Sequence, residues 1–463
     1  MGAIAERVSA ESITGDAGGL ARALAQHGVG YGDRVAVMLP NCAEYLVAGR
    51  ACARLSALLV PVNSHLKTDE VAWILEDSQA KVLLTDGEVA PPPGCVVVRP
   101  GTRADGGDAD LPDVEELPSP AFMFYTSGTT GRPKGVVHGG RPTAERQQQV
   151  QDMLKVLWGF TPDDVYLLCG PAYHAGPGGY AFSTLYNGGD VVVMPSWDAR
   201  EFLRLVDEEH VTTSFMTPAH FIRILEVPED ERVKFDLSSL RLIIHGGAPC
   251  PVPVKERIID VLAPGEVHEL YGASEGGATR ITPDEWRAHP GSVGTPWPGT
   301  EILIVGEDGE LLPAGQDGVV YIRPPGGLRF EYHNDAQKTD DAWRDDAFTV
   351  GDIGHLDADG YLYITDRVSD MVLWGGVNVY PREIEEVLHA HPDVVDCAVF
   401  GIPDDRYGEV LKAVVETRTP VDADALRAHV RERLADYKVP SVVEFVDELP
   451  RDPNGKVLKR LLK

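Results

Sequence analysis

The sequence predicts an α/β protein: a large N-terminal domain of layered α/β subdomains with a β-rich subdomain, followed by a small α+β C-terminal domain. Three observations carry this. Strand and helix patterns alternate through the first half of the 463 residues, which argues for parallel strands joined by helical crossovers. After Gly291 the style changes to short strands separated by Gly and Pro turns. Beyond Arg367 a helix–strand–strand–helix pattern is long enough for a small independent domain. The expected division is 1–367 and 368–463.

Taken in order, residues 20–27 pattern as a helix, 34–39 as a strand closed by Pro40, and 57–62 as a buried strand. The Pro-, Gly- and Asp-rich stretch 86–120 looks like a surface excursion, and the apolar, aromatic run 121–125 like a buried strand. Strands are expected at 165–168, 191–194, 212–216 and 240–244, then at 301–305 and 319–322. In the C-terminal part Pro381 suits the first turn of a helix whose Ile384, Val387 and Leu388 share a face. Strands at 395–400 and 410–416 and a helix at 423–435 complete it.

Charge and composition narrow the function. A formal net charge of −30 disfavours nonspecific nucleic-acid binding, so an anionic substrate must be held by local cations. No apolar run approaches the roughly 18 residues needed to span a bilayer. The N-terminus lacks a basic head followed by an apolar stretch, so a cytoplasmic protein is expected. Six cysteines without Cys-x-x-Cys spacing indicate neither a zinc site nor a disulfide framework.

The densest chemistry lies between Tyr125 and Gly135, where Thr126, Ser127, Gly128, Thr129, Thr130 and Gly131 precede Lys134. Glycines let backbone N–H groups approach anionic oxygens, hydroxyls donate further bonds, and a lysine offsets charge. A polyphosphate needs this combination, although Gly-x-x-x-x-Gly-Lys-Ser/Thr is not matched. Two other patterns are weaker. His245 to Ala248 with Gly272-Ala273-Ser274-Glu275-Gly276 imitates an esterase oxyanion loop and nucleophile elbow, but the two lie too close in sequence and no helix follows Ser274. Gly176 to Ala181 formally matches a dinucleotide turn, yet Pro177 removes an N–H from it. Tyr271 is a candidate to stack on a purine, Glu275 to hold Mg²⁺ beside phosphate oxygens, and Asp352 and Arg367 to meet ribose hydroxyls. The turn before Lys456 is a surface signature unless a mobile domain carries that lysine into an anionic site.

With these pieces in order the chain resembles the adenylate-forming superfamily of acyl-CoA synthetases, adenylation domains and luciferases, and most of all its acid:CoA ligases. The matching motifs run from Tyr125–Gly135 through His174, Gly246–Ala248, Tyr271–Glu275, Asp352 and Arg367 to Gly455-Lys456. The resemblance implies that a carboxylate attacks the α-phosphorus of ATP, and that a thiol, usually CoA, then displaces AMP. Residue by residue it implies that Thr126 to Gly131 and Lys134 hold the β- and γ-phosphates. Gly246, Gly247, Ala248, Tyr271 and Gly272 form the adenine slot, and Ser274 touches the α-phosphate. Glu275 binds Mg²⁺, and Asp352 and Arg367 hold the ribose. Lys456 bridges the incoming acid and the α-phosphate, and His174 gates the acyl site. The small C-terminal domain is implied to be mobile, bringing Gly375-Gly376 to a pantetheine channel. Ser274 stands where threonine is usual, Ser369 where Asp or Lys is frequent, and Trp374 where a small residue is usual. That indole leaves room for a relative that activates nitrite for an aryl amine instead of a small-molecule acid for CoA.

Overall fold

The computed structural model describes residues 5–107, 111–126, 132–262, 265–375, 377–404, 406–453 and 455–463. Two largely parallel sheets form the α/β part. One has five parallel strands in the spatial order Val96–Val98, Val82–Thr85, Arg34–Met38, Leu58–Pro61, Ala121–Phe122. The other has eight, with parallel Asp190–Val193, Val165–Leu168, Thr213–Met216, Leu242–His245 and Glu266–Ala273 at its centre. Val165–Leu168, Thr213–Met216 and Leu242–His245 are buried on both faces because helices cover both sides, and Glu6–Ser9 closes one edge antiparallel to Asp190–Val193. A six-stranded antiparallel sheet follows the change of style after Gly291, and Phe330–Tyr332 joins Lys134–His138 and Phe124–Thr126 in a three-stranded antiparallel sheet. The six-stranded sheet ends at Arg367, and the next strand, Val372–Trp374, belongs to a separate five-stranded sheet with its own apolar core around Val399, Leu411 and Leu426. No helix among the described residues is long and apolar enough to cross a membrane.

Four local expectations are corrected. The helix at 20–27 begins far earlier, spanning Ala10–Gln26 behind a reciprocal Ser9/Ser12 cap. Gly15, Gly18 and Gly19 hide it from propensity, and Gly19 lets the Arg103 side chain pack close, since a Cβ there would lie 2.9 Å from Arg103 Cδ. The run 121–125 is not one buried strand. It breaks at Met123, with Ala121–Phe122 joining the five-stranded sheet and Phe124–Thr126 pairing antiparallel with Lys134–His138. Residues 86–120 are more than an excursion, for Val96–Val98 is an edge strand and Leu117 is buried. The last α-helix stops at Arg431, capped by Asp422 at its start.

Candidate active site

The eight-stranded sheet turns back in an antiparallel hairpin, Glu266–Ala273 against Gly276–Ile281, with Ser274 and Glu275 at its tip. Ser274 therefore closes a hairpin, not the strand-to-helix turn an esterase nucleophile requires, and His245 is fully buried against Lys255. Glycine is needed where backbones cross. A Cβ on Gly246 would sit 2.7 Å from the Leu270 carbonyl oxygen, and one on Gly272 would sit 2.8 Å from Gly277 Cα.

Tyr271, Asp352, Arg367 and Lys456, 185 positions apart in sequence from first to last, converge on one cavity of about 250 Å³ that Gly247 and Ala248 also line. Tyr271 donates its phenol to Asp352 Oδ2 at 2.6 Å, and Arg367 Nε donates to Oδ1 at 2.8 Å. Burial, and then the Asp352 carboxylate, drive the Tyr271 phenol well above its ordinary pKa, so it stays a donor. The phenol end is thus tied down while the ring borders the cavity. Lys456 reaches this space from the C-terminal tail. Its side chain is accessible to solvent, yet burial by the cavity walls and then the Arg367 charge lower its pKa, against Asp452, Asp370 and Asp352. The tail is held by packing: a Cβ on Gly455 would be 2.6 Å from Ala219 Cβ, and φ there is +85°. Nearby, Arg223 of the helix Pro218–Glu226 meets Glu416 at 3.3 Å and Glu448 at 3.0 Å across the same junction.

A second cavity of about 600 Å³ adjoins the first, sharing Gly247, Gly272 and Arg367. Thr126, Ser274 and Glu275 line one part of it, and His174, Tyr180 and Phe215 another. Burial lowers the His174 pKa, so its imidazole is neutral near pH 7. Glu275 is 8% exposed and accepts the Tyr332 phenol on Oε1 at 2.8 Å. Its other oxygen, beside room for phosphate, suits the hard, oxygen-preferring Mg²⁺. Ser127, Gly128, Thr129, Thr130 and Gly131 lie outside the described residues, as does Gly376. Two expected residues do not border either space: Gly246 serves the strand crossing above, and Lys134 is ion-paired to Asp335.

Several partners escaped sequence reasoning. His138 Nε2 donates to the Ser274 carbonyl at 2.9 Å, steadying the hairpin tip. Beneath the Gly247–Tyr271 wall, fully buried Lys255 contacts His245 Nε2 and reaches Glu269 Oε2 at 3.2 Å. Burial, and then the Lys255 charge, hold His245 well below its usual pKa. The parallel pairing of Leu242–His245 with Glu266–Ala273 sets His245 beside Glu269, and the helix Val252–Val261 brings Lys255 to both. Trp374 stacks on Tyr407 with ring centroids 4.5 Å apart and planes at 15°, with Tyr437 nearby. Trp374→Ser is therefore expected to lower C-terminal stability by about 1–2 kcal/mol without altering acid-dependent pyrophosphate release. Thermal melts and release assays on the variant check both halves.

Comparison with known proteins identifies the family. The model for AMP-binding enzymes matches residues 5–330, and that for the AMP-binding enzyme C-terminal domain matches 383–456. A feruloyl-CoA synthase of Amycolatopsis sp is 36% identical over 458 residues, covering 95% of this chain and 90% of that protein. The long-chain fatty-acid–CoA ligase FadD13 of Mycobacterium tuberculosis is 35% identical, covering 94% and 88%. The crystal structure of ATP-bound MatB from Rhodopseudomonas palustris superposes with a TM-score of 0.83 at 30% identity, covering 98% of this chain and 92% of that one. The chain belongs to the AMP-binding, adenylate-forming enzyme family.

Proposed function

We propose that this enzyme is an AMP-forming acid:CoA ligase: it adenylates a small or medium organic acid with Mg·ATP and transfers the acyl group to CoA. The convergence of Lys456 with Tyr271, Asp352 and Arg367 on one cavity carries this reading. In it the Tyr271 ring and Gly247–Ala248 flank adenine, Asp352 and Arg367 hold the ribose, and Ser274 meets the α-phosphate. Thr126 to Gly131 hold the outer phosphates, with Lys134 joining them only on leaving Asp335; Glu275 holds Mg²⁺, and His174 borders the acyl group. Lys456 opposes the negative charge that builds when the carboxylate attacks phosphorus. The hinge position is Ser369, two residues after Arg367, and the segment after it rotates between the half-reactions.

Both the feruloyl-CoA synthase and FadD13 are named for joining a carboxylic acid to CoA, which supports the acceptor. The acyl part of the larger cavity is walled by Tyr180, Phe215, Leu270 and Trp297. Gly277 leaves space there, since a Cβ on it would meet the Trp297 ring at 2.1 Å. Such walls favour an aromatic or apolar tail over a second carboxylate.

Pyrophosphate release measured over a panel of monocarboxylic and dicarboxylic acids, with and without CoA, tests this. Release that needs an acid and ATP, with a thioester formed when CoA is added, is the expected result. Release driven instead by nitrite with an aryl amine, or by no acid in the panel, sinks the ligase reading.

A further inference from the structure

The larger cavity is bordered by the Glu275 carboxylate and by Lys338, a residue that no motif singled out. Lys338 lies on the short helix Ala336–Ala342, which Asp335 caps by accepting the Lys338 backbone N–H at 3.0 Å. Its ammonium rests over the Tyr332 ring, 4.9 Å from the centroid, and the same tyrosine donates its phenol to Glu275. The tyrosine thus holds both the expected metal ligand and a cation, one on its oxygen and one on its ring face. Among the described residues no carboxylate bonds the Lys338 ammonium. Lys134, by contrast, is ion-paired to Asp335 and does not border the cavity. Burial, and then the Lys134 charge, lower the Lys338 pKa. Holding a half-buried ammonium without a carboxylate costs stability. An arriving anion removes that cost.

We propose that Lys338 is a second phosphate-binding cation, gripping the β- and γ-phosphates of ATP and then the departing pyrophosphate. The proposal rests on the adenylation reading above. Attack of the acid oxygen on the α-phosphorus breaks the bond to the bridging oxygen and leaves that electron pair on pyrophosphate. A cation at the outer phosphates therefore faces the charge that grows during the step. Lys456 faces the α-phosphate from the opposite domain, so the two lysines divide the triphosphate between them.

Calorimetric titration of the full-length protein with Mg·ATP, Mg·pyrophosphate and AMP tests the assignment, because AMP lacks the outer phosphates. Lys338→Met is expected to weaken Mg·ATP and Mg·pyrophosphate by roughly tenfold and to leave AMP within about twofold. Lys338→Arg, which keeps the charge, is expected to retain most of the affinity and guards against a folding defect. Equal weakening of all three ligands in Lys338→Met would reduce the residue to a structural role, and unchanged affinities would exclude it from the site. Wild-type protein that binds AMP and ATP but shows no acid-dependent pyrophosphate exchange would overturn the adenylation reading and leave the phosphate contact standing.

Discussion

Lys456→Ala is expected to slow acid-dependent pyrophosphate release by roughly 10²–10³-fold, the usual loss when one donor to developing charge is removed. ATP affinity is expected to shift by no more than about threefold, because in the proposed mechanism the lysine acts on the transition state and not on ground-state binding. The site geometry gives the reason. Tyr271, Asp352 and Arg367 remain on the N-terminal side, bonded to one another, and keep the proposed adenosine cradle intact. Only the positive charge delivered by the tail is lost. The pH profile adds a second readout. Burial and Arg367 lower the Lys456 pKa, so wild-type adenylation is expected to fall on the alkaline side earlier than an ordinary lysine would dictate. Steady-state rates from pH 7 to 10.5, with Lys456→Arg extending the plateau upward, check it. An alanine variant with unchanged adenylation would remove Lys456 from the mechanism.

Lys255→Met is expected to destabilise the protein by about 3–5 kcal/mol, the range for removing one partner of a buried ion pair. The loss leaves Glu269, 5% exposed, as a buried carboxylate behind the Gly247–Tyr271 wall with no lysine, its remaining neighbour being His245 Nε2 at 3.6 Å. Combining Lys255→Met with Glu269→Leu removes both charges and is expected to recover most of the stability. Urea midpoints at constant m-value measure the cycle. A double variant no more stable than the single one would show that the network holds the wall by shape and not by charge.

Where chemistry demanded rare residue types in a fixed order, the sequence was legible. Gly272, Tyr271, Asp352, Arg367 and Lys456 could be singled out because close backbone approach and anionic substrates restrict what fits, and the structure gathers them around adjoining cavities. The strands Val165–Leu168 and Asp190–Val193 were equally plain, since two covered faces force largely apolar runs. What stayed hidden depends on chain segments meeting across long separations. Lys134 pairs with Asp335 201 positions away, and Arg223 with Glu416 193 positions away. Lys338 becomes a candidate only once Tyr332 and Glu275 are seen to share a bond. Local errors had local causes: three glycines masked the helix Ala10–Gln26, and period alone could not show that the chain changes sheets at Met123.

Arg223 gives the junction a particular temper. Its guanidinium is 31% exposed and Glu448 is 70% exposed, so this clasp is wet on one side. Pairs of that kind are worth about 0–1 kcal/mol and fade as electrolyte rises. A clasp so weak adds to the packing at Gly455 without trapping the tail. Brine should therefore alter the tempo of the cycle far more than the grip on nucleotide.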